Sequence, residues 1–127
     1  MSIDRESLEI SEKTLNALVL ICSAHPHDTF YCNLRQQLHS YIKDSEARKY
    51  FHFNRFGCST DIDEGVSMVV MYGGLVSCSQ NLHRTTQMLY NQLEIIKKSS
   101  IYFPEEDKKI FSDIGRKLKI HEFYSKK

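Results

Sequence analysis

The chain reads as an all-α protein, an irregular bundle of about five helices. Three observations predict this. Only two prolines and five glycines interrupt 127 residues. Long stretches carry apolar residues at spacings of three and four, the period of a helix face. Two of them follow recognisable start signals, Asp61-x-x-Glu64 and Pro104-Glu105-Glu106-Asp107. The alternative is an α+β domain with short strands near 17–22, 50–56 and 66–72. Residues 17–21 are apolar on all sides, and Val66, Val69, Val70 and Tyr72 favour strand.

The first helix is expected over 4–24, with Leu8, Ser11, Leu15, Leu18 and Cys22 on one face and Asp4 and Glu6 at the end that favours negative charge. His25-Pro26-His27-Asp28 breaks it, because Pro26 disfavours helix at the residue before it. A second amphipathic helix over 29–48 carries Phe30, Leu34, Leu38, Tyr41 and Ile42 on one side. Residues 49–60 are irregular, and Gly57 marks a stop or turn. Asp61 caps a third helix bearing Ile62, Val66, Val69 and Val70, and Gly73-Gly74 weakens the element and lets another helix approach closely. A fourth helix over 79–98 has Leu82, Leu89 and Ile96 seven apart, and is expected to be central to the core. Ile110, Phe111, Ile114 and Leu118 form the fifth stripe. The length suits one domain over 1–127, with a tail fraying from about residue 122.

Charge does not name a partner. The formal net charge is +1. That gives no general attraction to nucleic acid or an anionic membrane. The first segment is acidic and the last thirty residues are basic, which reads as solvated helix faces. The start is polar and acidic, unlike a secretory leader, and the run Leu15–Cys22 is too short to span a bilayer. Cys22, Cys32, Cys58 and Cys78 lack the paired spacing of a zinc site. They are expected to be free thiols in a reducing cytoplasm.

Candidate chemistry is sparse. His25 and His27, with Cys22 and Asp28 nearby, could hold a transition metal or serve a metal-dependent enzyme. A tetrahedral site would still need ligands from elsewhere, such as His52 or Cys58. Arg48, Lys49, Tyr50, Phe53 and Arg55 interleave cations with rings, the composition a single-stranded nucleic acid uses. The same pattern arises when a loop tucks its rings into a core. No nucleophile elbow or phosphate-cradling loop is present. Met68, Met71 and Met88 lie on apolar segments that serve either packing or an adaptable binding surface.

No catalytic residue, metal or cofactor is assigned. The expected function is a small non-enzymatic protein-binding module, an inhibitor, adaptor or immunity protein that neutralises a partner enzyme. If that partner is basic, Asp61, Asp63, Glu64, Glu105, Glu106 and Asp107 are the candidate contacts. Nucleic-acid binding through 48–56 is the first alternative, and a metal-dependent enzyme at His25/His27 the second.

Overall fold

The computed structural model describes residues 12–26, 28–79, 81–98 and 103–121. Within them the chain order is α1 (Glu12–Cys22), β1 (Phe30–Cys32), α2 (Leu34–Lys43), a 3-10 turn (Glu46–Tyr50), α3 (Thr60–Met71), β2 (Leu75–Ser79), β3 (Leu82–Thr85), α4 (Gln87–Lys98) and α5 (Glu105–Lys117). The strands form one antiparallel sheet in the order β1-β3-β2. The all-α expectation is corrected accordingly, to a mixed, helix-dominated α+β fold. None of the three anticipated strand positions is a strand. Residues 17–22 belong to α1, 66–71 to α3, and 50–56 close the 3-10 turn and run on irregularly.

α1 is the centre of the molecule. It packs against α5, α3 and α4. Ala17, Leu18 and Ile21 are fully buried, joined by Val19 and Cys22. A helix apolar on every side needs neighbours on every side, and α1 has them. Its approach to α5 is close. A Cβ on Gly115 would lie 2.2 Å from the Ile21 carbonyl oxygen and 2.5 Å from the Ala24 Cβ. The buried cluster continues through Leu34, Leu38, Ile42, Ile62, Val66, Val69, Leu75, Leu89, Phe103, Phe111, Ile114 and Leu118.

The expected helix over 29–48 divides into β1, α2 and the 3-10 turn. Asn33 makes the division. It adopts φ 52° and ψ 44°, the left-handed region that Asn tolerates better than most residues, and so turns the strand into the helix. β1 is held by β3 on one edge, while a bridge from Tyr31 to Ile120 covers the other. Ser45 caps the 3-10 turn by accepting from the Ala47 N–H at 3.1 Å.

α3 begins one residue before the expected cap. Ser59 is the N-cap, and Asp61 sits inside the first turn. The helix ends where Gly73, at φ +85°, donates to Val70 and Gly74 donates to Val69, both at 2.9 Å. This pair of backward bonds is the Schellman stop that glycine favours. Gly74 then lies against α4, where an added Cβ would be 2.9 Å from Val69 Cγ1 and 3.4 Å from Leu89 Cδ1. The close approach expected at Gly73-Gly74 is therefore present.

Residues 79–85, expected to open the fourth helix, are instead the end of β2, the turn and β3. Leu82 pairs with Cys32 and Ser79 in the sheet. Its spacing of seven to Leu89 has no helical meaning. α4 starts after Thr86, whose Oγ1 accepts from the Met88 N–H at 3.2 Å and donates to the Gly73 carbonyl at 2.5 Å. Leu89 is fully buried, but it is the one buried residue of α4. The central role expected of α4 belongs to α1. Pro104 and its acids do start α5, whose N-cap is Pro104. Residues 4–11 of the expected first helix and the tail from 122 lie outside the described residues.

Candidate functional site

The acidic candidates occupy two separate helices, α3 and α5, and most are engaged within the molecule. Asp61 accepts from the His52 backbone N–H at 2.8 Å. Asp63 stands 3.8 Å from the Arg35 guanidinium. Glu105 pairs with Lys108 at 3.2 Å. Glu64 is half-buried and Glu106 exposed. Asp107 is only 3% exposed, so it is not a surface acid. It accepts from the Tyr50 hydroxyl at 2.6 Å and faces Lys49 Nζ at 3.1 Å. The Tyr50 bond, with Lys49 and Lys13 behind it, holds the Asp107 carboxyl below its ordinary range although burial opposes this. Burial, then Asp107, pushes the Tyr50 phenol up to about 12. The pair ties the 3-10 turn to α5, and the rings of Tyr50, Phe103 and Phe111 pack edge-on or tilted beside it at 5.1–5.6 Å.

The aromatic-basic segment also turns inward. Phe51 is buried, and Tyr50 and Phe53 pack against the core. Arg48 lies 5.5 Å from the Phe53 ring, and Lys49 is committed to Asp107. Arg55 covers Phe56, which at 78% exposure is the one open ring of the four. A stacking platform needs successive exposed rings. The segment offers a single one.

His25 is half-buried, its ring 5.9 Å from that of Tyr31, and its carbonyl accepts from the Tyr90 hydroxyl. His27 lies outside the described residues. Among the described residues no three His, Cys, Asp or Glu side chains are grouped to hold a metal ion. All four cysteines are free, and burial pushes the Cys22 thiol up to about 12, far from a reactive thiolate. No helix of the described residues is long and apolar enough to cross a membrane.

Two features emerge, one anticipated in part by Met71 and Met88 and one that residue-by-residue reading missed. The first is an exposed apolar junction where α3, β2 and α4 meet. Met71 is 82% exposed, and Tyr72, Val76 and Met88, from the end of α3, from β2 and from α4, are exposed as well. Met88 Cγ lies 3.9 Å from the Cβ position of Gly73, and the Thr86–Gly73 bond fixes the corner. A sequence signal for it exists: residues 65–82 contain no Asp, Glu, Lys or Arg. The second is a small cleft of about 210 Å³ lined by Asn33, Leu34, Arg35, Gln36, Asn81 and His83. Sheet pairing builds it. Tyr31 opposes His83, Cys32 opposes Leu82, and the Asn33 N–H donates to the Asn81 carbonyl at 2.8 Å. No local pattern could have announced residues so far apart in the chain.

Compared with family models, curated proteins and solved structures, the chain matches none. The functional reading therefore rests on these surfaces alone.

Proposed function

We propose that this protein is a non-enzymatic protein-binding module, of the kind that serves as an inhibitor, adaptor or immunity protein. Its docking surface is the junction of Met71, Tyr72, Val76 and Met88. One observation carries the reading: Met71, Tyr72, Val76 and Met88 are exposed, and the run 65–82 that supplies three of them holds no Asp, Glu, Lys or Arg, the nearest charge on the sheet being Arg84 opposite Val76. Residues 76–79 of β2 are exposed as well, and none of the junction residues is needed to fill the core. Exposed apolar residues that cluster, rather than scatter, mark interaction sites. Tyrosine and methionine suit that role. A ring brings a large contact area at little entropic expense, and the thioether adapts to irregular partners.

The partner is a protein with an uncharged apolar face. A basic enzyme steered by acids is less favoured, because Asp61, Asp63, Glu105 and Asp107 already have internal partners. A photo-crosslinking residue placed at Met71 in the source cell should give one discrete adduct, and Met88→Lys should abolish it. The same probe at Arg116, on α5, should give none. Equal labelling from both positions, or an adduct that survives Met88→Lys, would remove the junction as the docking surface. An adduct consisting of two copies of this chain would replace the partner by self-association.

A further inference from the structure

The cleft at the start of α2 has the makings of an anion site. α2 has ten residues and no side-chain cap. Its first N–H groups, on Leu34, Arg35 and Gln36, have no carbonyl four residues back within the helix, and all three residues line the cleft. The helix dipole adds partial positive charge at that end. Arg35 supplies the full charge. Its guanidinium donates to the Asp63 carbonyl at 2.6 Å and to Ser67 Oγ at 3.2 Å, and its Nη1 is 3.8 Å from Asp63 Oδ1. Those two hydrogen bonds use two of the five N–H donors a guanidinium carries.

An independent observation points the same way. His83, another residue of the cleft wall, is only 4% exposed, and its Nδ1 has no hydrogen-bond partner. A buried polar atom without a partner is costly, and a hydrogen-bonding ligand would relieve that cost. Every cleft residue other than Arg35 is neutral or a histidine, and none is an acid. The exposed Asn81 amide completes the wall.

We propose that this cleft binds a phosphate group, held by the α2 N–H groups, the Arg35 guanidinium and the imidazole of His83. Phosphate fits better than carboxylate because its oxygens accept bonds in three dimensions, matching donors from a helix end, a cation and a strand. The cleft is also roomy enough for the start of an ester. The site uses none of the junction residues, so it stands or falls separately from the docking surface.

The test is an amide-resolved NMR titration of the whole chain with inorganic phosphate, at constant ionic strength set with chloride. The Leu34, Arg35 and Gln36 amides and the His83 ring should shift together and saturate. Asn81→Asp, a change at an exposed wall residue, should weaken binding at least tenfold, and so should Arg35→Met, because each removes or opposes a charge-assisted contact. The spectrum away from the cleft reports that each variant is folded. Phosphoserine in a short peptide and ribose 5-phosphate then identify the source of the phosphate. Whichever binds tighter than inorganic phosphate names the ester, and a gain for neither leaves the free ion as ligand. No saturable shift into tens of millimolar, acetate binding as tightly as phosphate, shifts spread over the basic C-terminal residues, or unchanged affinity in Asn81→Asp would each overturn the assignment.

Discussion

Two stretches of this chain lack charge, residues 14–27 and 65–82, and the structure uses them in opposite ways. The first becomes α1. None of Thr14–Cys22 is exposed, and three neighbouring helices and the 3-10 turn pack around it. The second begins in the same manner, with Ile62, Val66 and Val69 packed under α3. From Met71 onward it emerges at the surface and stays uncharged through Val76, Ser77, Cys78 and Ser79. An uncharged run that is buried needs no further explanation. One that is exposed does, and the proposed docking surface would supply it.

The largest expected effects lie in the buried run. Leu18→Ala should lower unfolding stability by about 2–5 kcal/mol, because Leu18 is fully enclosed and the cavity cannot be filled cheaply. Denaturant titration measures this, and a loss below about 0.5 kcal/mol would mean that α1 is not the core. Gly115→Ala should follow at about 1–3 kcal/mol, since its Cβ would meet the α1 backbone. The gain in helix propensity offsets only part of that.

A smaller effect concerns the cleft. Burial, then the Arg35 charge, lowers the His83 pKa from its ordinary 6.5. The unfolded chain therefore takes up a proton near that pH that the folded protein resists. The stability contribution of neutral His83 is complete above pH 6.5 and is lost as pH falls below it. In chloride buffer, wild type should lose more stability than His83→Gln between neutral pH and the lower end of that window. Parallel curves for the two proteins would show that His83 titrates normally.

Much of the helical framework was legible from local signals. Pro104 with its three acids, the close approach at Gly73-Gly74 and the apolar stripe of Phe111 and Ile114 all act within a turn or two. The sheet was not legible, for physical reasons. β1 has three residues, too few to display a period of two. Asn33 falls inside the helix expected over 29–48, yet its left-handed backbone ends the strand. The expected fourth helix starts at Ser79, while pairing of Ser79 with Leu82, and of Leu82 with Cys32, decides their conformation. The cleft was invisible for the same reason, since only that pairing brings Asn81 and His83 to Arg35. The acids at 61–64 and 105–107 were legible as helix-start residues but not as internal partners. The Asp107–Tyr50 bond spans 57 residues of sequence.

The smallest expected change in stability belongs to the exposed run, and it tests the contrast most directly. In the double variant Met71→Ser/Tyr72→Ser, unfolding stability should change by no more than about 0.5 kcal/mol, because neither side chain fills the core. Crosslinking to the partner, read in the same cells from a photoreactive residue at Val76, should fall by at least tenfold, as for the loss of an interface anchor. A variant that unfolds would place these residues with α1 as structural. One that stays folded and keeps its full adduct would contradict the docking surface outright.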